Sequence, residues 1–418
     1  MILNVLVVLI FFVFTLIYRF TYGYLSSPAG LLILIFLTLF LFSPLSKNTD
    51  PFGLYVLMSF VFTFSIGAFI VRMVYLKSKM RVTLKKKKII KKKDLVLELK
   101  ILSILGFLSG FLGLFIFLKS ASVSLSDLLS FPQLLLISHK LSVLRYEDVL
   151  RPPLVSNILF SFAYFSCIIG GFFQKELGRL FSLLVLTVFL CYAIVYTTKA
   201  VFLWALILWI SGFFTRKILE MDRFYKLPYK LLFLIFPIIL LMAIFATYLR
   251  TAGKLDIVGS LEKLEVYAFG NITPFTYWVS HEYNNILSLT FGRNTFNGFF
   301  SLLGLVKRVP GIFDEYIMVI SGEVSNIYTV FRFFIEDLSL PGAYILTFLL
   351  GFLSEISYLK VYRGGLFYIP LLVMFYLMVL WSPFASALAY NSLNFSMLVF
   401  FVYIVLLNIR RKLRVVHS

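Results

Sequence analysis

Apolar runs of the length that crosses a bilayer recur along this chain, and no soluble fold could bury them all. Stretches of ~17–25 mostly apolar residues read as membrane-crossing helices. On that rule eleven spans follow: Ile2–Tyr18, a short one at Ala29–Phe42, Phe52–Leu76, Ile101–Leu118, Val155–Phe173, Leu180–Tyr196, Ala200–Phe214, Leu231–Leu249, Leu338–Tyr358, Leu366–Trp381 and Leu393–Ile409. Only 14% of the 418 residues are charged and 61% are hydrophobic. A soluble domain would carry about 25% charged and roughly 45–50% apolar residues. The fold class expected is an all-α polytopic membrane protein, with residues 1–418 forming one transmembrane domain. The first run lacks a basic leader and a small-residue cleavage site, so it reads as a retained helix.

A formal net charge of +20 could point to nucleic acid, but its placement points to topology. The densest run, Lys85–Lys88 with Lys91–Lys93, sits in a loop spanning residues 77–100, between two apolar spans. Lys and Arg accumulate on the cytosolic side of membrane helices, so this loop is cytosolic and fit to touch anionic headgroups. Arg19, Lys175 with Arg179, Arg216 through Lys230, Lys360 with Arg363, and Arg410–Arg414 fall on the same side. The N-terminus is then outside and the C-terminus inside. Cys167 and Cys191 lie within apolar runs and read as packing residues, without a disulfide framework or CxxC metal site.

Two longer loops, residues 119–153 and 250–337, fall on the outer side, and long loops in compact proteins are usually functional. The second holds nine of the 19 acidic residues, including Glu315, Glu323, Glu336 and Asp337. Phe275, Trp278, Tyr283, Ile286 and Leu287 recur in it at helical spacing. Phe296–Val306 and Gly311–Ile320 are almost as apolar as the spans, as expected of segments that lie along the membrane surface or re-enter it. The loop reads as a partly helical lid.

No GxxxxGK[ST], HExxH, GxSxG or GxGxxG pattern occurs, and the one acid-x-acid sequence, Glu220-Met221-Asp222, is on the cytosolic side. Neither a metal nor a cofactor is expected. His139 and His281 fall in the outer loops, where an imidazole serves as a base or simply as a surface group. Outer cations run against the charge rule and carry more information: Lys199, Arg145, Arg151, Arg250, Arg293 and Arg332. Guanidinium groups grip phosphates bidentately; the plainer role is to anchor helix ends at headgroups.

The stretch Asn326-Ile-Tyr328-Thr329-Val-Phe-Arg332-Phe-Phe-Ile-Glu336-Asp337, followed by Leu338-Ser339-Leu340-Pro341-Gly342, resembles the signature of Wzy-type O-antigen polymerases. The family pattern reads N-[VI]-Y-T-x-[FL]-R-x-[FY]-x-x-D-[FL]-G, and Ser339 stands where its glycine is usual. Tyr267, Pro274-Phe275 and Phe291-Gly292-x-x-Thr295-Phe296 are also similar, and Arg293 with Gly304 fits an R-x10-G pattern. The turn Thr197-Thr198-Lys199 matches a place where members often carry Arg. The similarity covers roughly Tyr267–Gly351, and the remainder agrees in architecture.

The resemblance implies a GT-C-like, metal-independent glycosyltransferase of the bacterial inner membrane, with its active face in the periplasm. It would join undecaprenyl-pyrophosphate-linked oligosaccharide repeat units into O-antigen or a related surface polysaccharide. Membrane lipid, a flippase and a chain-length regulator of the same pathway would be its partners. By the same resemblance Arg293 and Arg332 would grip pyrophosphate, and Lys199, Arg250, Arg151, Asn326 and Tyr328 would bind substrate. Asp337, Glu323 or His281 would take the acceptor's proton, although Asp337 could instead orient Arg332 or cap the ninth span. An O-antigen ligase would share fold and chemistry. A lipid-linked oligosaccharide flippase should instead show paired repeats, midplane charges and short loops.

Overall fold

Helices follow the apolar runs closely. The structure, a computed structural model, describes residues 2–22, 25–42, 49–77, 93–124, 126–128, 130–147, 150–220, 241, 244–245, 248–249, 266, 270–283, 288–306, 313, 315–320 and 323–416. The helices are α1 (Ile2–Tyr22), α2 (Pro28–Phe42), α3 (Pro51–Lys77), α4 (Lys93–Ser120), α5 (Phe131–Tyr146), α6 (Leu154–Phe172), α7 (Gln174–Val195), α8 (Lys199–Glu220), α9 (Ile272–His281), α10 (Asn297–Leu302), α11 (Val330–Tyr362), α12 (Ile369–Trp381) and α13 (Asn391–Val416). Between α10 and α11 lie strands β1 (Ile317–Ile320) and β2 (Glu323–Ser325).

Among the described residues seven helices, α3, α4, α6, α7, α8, α11 and α13, are long and apolar enough to cross a membrane, and α1, α2 and α12 contain shorter apolar stretches. This is the make-up of a multi-pass α-helical membrane protein. The eighth expected span, Leu231–Leu249, falls mostly outside the described residues.

Three features add detail to the expected arrangement. Helix α11 starts at Val330, well before the expected Leu338, because the charged stretch before the apolar run is itself helical; a break at Ser339 (φ 65°, ψ 171°) marks where the run begins. Residues 119–153, expected as one outer loop, contain α5. Within residues 250–337, expected as the other, Ile317 and Met318 pair antiparallel with Ser325 and Val324.

The chain forms two compact units: residues 1–85, 218–227 and 261–391 make the first, and residues 86–217, 228–260 and 392–418 the second. In the first, α3 and α11 pack backbone to backbone. A Cβ on Gly67 would strike the carbonyl of Phe348, and one on Gly351 that of Phe64. Small residues permit such approach in membranes, where lipid removes the hydrophobic incentive for helices to associate. Near the far ends of the same two helices Arg72 pairs with Glu355 at 3.5 Å, both buried. The Tyr376 hydroxyl donates to Ser26 O at 2.6 Å and ties α12 to the start of α2.

In the second unit α4, α6, α7 and α8 pack together with interhelical hydrogen bonds from small polar residues. Ser156 donates to Gly113 O at 2.7 Å, Ser103 to Phe181 O at 2.6 Å and the Trp209 indole to Ser182 O at 3.1 Å. Arg216 of α8 is ion-paired with Glu176 of α7 and lies over the rings of Phe172 and Phe173. Towards the C-terminal end of α13, Arg410 reaches Glu98 of α4 at 3.0 Å.

Candidate functional site

The signature residues converge in the first unit on one buried cation. Arg332 sits in the first turn of α11, where the helix dipole disfavours positive charge, and is 2% exposed. Two carboxylates offset both penalties. Glu336, one turn along, accepts from Nε at 2.8 Å, and Glu315 meets Nη2 at 2.5 Å. Three rings close around the guanidinium, with centroids 3.8 Å (Phe313), 4.0 Å (Tyr328) and 4.7 Å (Trp278) away. Arginine suits such a box because its planar ion stacks on aromatic faces and is weakly hydrated.

Asn326 and Tyr328 hold the far wall. The Asn326 amide donates to Phe313 O at 3.2 Å, and the Tyr328 hydroxyl to Glu315 O at 3.1 Å. Together they fasten the short segment that carries Glu315 against the arginine. Burial pushes the Tyr328 phenol up to about 12, while the Arg332 charge pulls it down. At neutral pH it therefore keeps the proton with which it donates.

Glu336 and Asp337 attach a second segment, the tight turn at residues 290–296. Asn294 Nδ2 donates to Glu336 Oε2 at 2.7 Å. Asp337, 1% exposed, accepts from the Thr290 hydroxyl, from Asn294 N–H at 3.0 Å and from Thr295 N–H at 2.8 Å. Thr290 N–H and Phe291 N–H bond the backbone carbonyls of Glu336 and Asp337, each at 3.0 Å. Consecutive positive φ values at Phe291 (49°) and Gly292 (90°) let the chain reverse here.

Arg293 rides on this turn with an exposed guanidinium and no ion-pair partner among the described residues. Asp337 is not the cap of α11, which begins seven residues earlier after Thr329, and it does not orient Arg332; Glu336 does. With three donors on its two oxygens, Asp337 has little acceptor capacity left for a reacting hydroxyl.

The other expected positions are dispersed. His281 is exposed at the end of α9, stacked on Tyr277 at 4.3 Å with Nδ1 3.0 Å from Tyr277 O. Glu323 lies in β2 with its side chain outside the described set, and Arg250 is outside the described residues altogether. Lys199 and Arg151 belong to the second unit, Lys199 at the start of α8 and Arg151 just before α6. Arg145 has the anchoring role: it donates to Tyr196 O at 2.9 Å and to the Thr198 hydroxyl, closing the C-terminus of α7. Among the described residues no three His, Cys, Asp or Glu side chains cluster as a metal site.

Glu315, Trp278, Phe313 and Asn294 were not singled out as site residues in the sequence, because what unites them is contact with a residue distant along the chain. Glu336 had a readable signal, its i,i+4 spacing from Arg332. Across α11 from the cation, Val330, Phe331, Phe334 and Thr347 line a narrow, mostly apolar cavity of about 30 Å³, shared with Phe64 of α3 and Phe375 of α12. No protein-family model matches the chain, and neither a curated protein nor a solved structure matches it.

Proposed function

We propose that this protein is a bacterial inner-membrane polymerase that joins undecaprenyl-pyrophosphate-linked oligosaccharide repeat units on the periplasmic face. The observation that carries the reading is the folding of Asn326, Tyr328, Arg332 and Asp337 into a single polar assembly. That assembly also fixes the turn bearing the exposed Arg293. Asn326, Tyr328 and Glu336 build the surroundings of one buried cation and Asp337 holds the adjoining turn, which is more organisation than crossing a membrane needs.

In this reading an acceptor hydroxyl attacks the anomeric carbon of the donor glycan. The new bond is C–O to the acceptor; the bond broken joins the anomeric carbon to pyrophosphate, which leaves on its lipid. Arg293 and Arg332 stabilise the negative charge that grows on the leaving group. The acceptor proton passes to Glu323 or His281, and Asp337 anchors the Arg293 turn.

Deleting the gene tests the class. A polymerase leaves lipid A-core capped with a single repeat unit, because ligation continues while polymerisation stops. Bare core with polymer accumulating on the carrier would make the protein a ligase, and loss of outward-facing lipid-linked units would make it a flippase.

A further inference from the structure

Arg332 has a donor edge that its fixed partner does not use. Glu336 takes Nε, and Asn294 holds the other Glu336 oxygen, so that carboxylate is gripped from both sides. Nη1 is buried without a hydrogen-bond partner. Nη2 meets Glu315, whose side chain is 60% exposed and whose carboxylate has no other partner among the described residues. One guanidinium edge is thus permanently filled, while the Nη1–Nη2 edge is closed by a single side chain standing in solvent.

We propose that Glu315 is an internal counter-ion occupying an anion site on Arg332, and that a diphosphate displaces it. The planar Nη1–Nη2 edge matches two oxygens of a phosphate, and Glu315 uses only half of it. Charge supplies the reason for a stand-in. With Glu315 and Glu336 both on Arg332 the triad is net negative and repels an anion. Once Glu315 swings out, Arg332 and Arg293 balance Glu336 and Asp337, so the net negative charge that would repel an anion is removed.

The motion is local. Asn326 and Tyr328 keep the Phe313–Glu315 backbone in place, so only the Glu315 side-chain torsions need change. Opening returns the Glu315 carboxylate to water, which offsets part of the attraction it loses. While in place, Glu315 keeps the buried cation from standing with an empty edge, which low dielectric makes unfavourable.

That the diphosphate belongs to a lipid carrier rests on the proposed function; the displacement rests on the geometry alone. The test is binding of inorganic pyrophosphate to the purified full-length protein in nanodiscs, by calorimetry, with Glu315→Gln and Glu315→Ala beside wild type. Both variants should bind about three- to tenfold tighter, the effect of removing one partly exposed charge contact. Arg332→Lys placed in the Glu315→Gln background should abolish that gain.

Equal or weaker pyrophosphate binding by both folded Glu315 variants overturns the proposal, as does a gain that survives Arg332→Lys. A second titration with undecaprenyl pyrophosphate separates the sources. A gain for inorganic pyrophosphate without one for the lipid keeps the counter-ion and removes the carrier-lipid reading.

Discussion

Replacing Asp337 by Asn probes the anchor of the Arg293 turn with almost no change in volume. Asp337 Oδ1 accepts from the Thr290 hydroxyl and Asn294 N–H, and Oδ2 from Thr295 N–H. In the Asn variant one oxygen can remain on the first pair, but the amide NH2 then faces Thr295 N–H, donor against donor. A buried donor left without a partner costs about 1–3 kcal/mol, and a charged acceptor has been lost as well. About 2–3 kcal/mol is therefore expected for Asn. Ala strands both N–H groups and should cost about 3–5 kcal/mol by the same reasoning. The assay is amide hydrogen exchange in detergent, which reads local opening directly. A loss of about 2 kcal/mol corresponds to roughly 30-fold faster exchange at residues 290–296. Amides in α6 and α7, in the other unit, are the reference and should be unaffected. Unchanged exchange at 294 and 295 in a folded Asp337→Ala protein would refute the anchoring role.

Ser339 adopts φ 65° and ψ 171°, a region nearly reserved for glycine and costing other residues on the order of 1–3 kcal/mol. Ser339→Gly should therefore stabilise the protein by about 1 kcal/mol once glycine's greater unfolded-state entropy is deducted, measured as a raised thermal midpoint; a lowered midpoint contradicts the assignment. Arg72→Ala should cost about 3–5 kcal/mol by leaving Glu355 buried and unpaired, whereas replacing both by Met and Leu should cost much less. Thermal unfolding of the two variants decides it, and equal losses in the single and double variants would contradict a buried pair. Arg145→Ala should lower stability by about 1 kcal/mol through the lost closure of α7 and speed exchange at its last turn; unaltered exchange there would contradict that role.

The spans were legible because hydropathy has a length scale, and a helix must be long enough to cross lipid. The start of α11 was not, because Arg332, Glu336 and Asp337 make Val330–Leu338 too polar to read as a span although it is helical; the sequence boundary at Leu338 falls instead at the Ser339 break. The signature named Arg332, Tyr328, Asn326 and Asp337, and these do assemble. Its form, however, concealed their division of labour: Asn326 and Tyr328 hold one segment, Asp337 holds another, and Arg332 lies between. Glu315 gave no local signal, since its importance comes from an ion pair with a residue on another element. Trp278 read as part of an amphipathic face, and it does bury that face, but its ring also covers the guanidinium.

The most direct measurement is polymerisation by the purified protein alone. It would be reconstituted in liposomes with undecaprenyl-pyrophosphate-linked repeat units taken from a strain lacking this gene, and the products resolved by length. The account predicts a ladder of lipid-linked oligomers rising by one repeat unit, lost in Arg332→Ala and Arg293→Ala but kept in Lys307→Ala and Arg308→Ala, two adjacent cations of the same loop that are expected from the sequence to be surface residues and lie outside the described residues. Unextended substrate with folded wild-type protein, or a ladder that persists in Arg332→Ala and fails in Lys307→Ala, would contradict it.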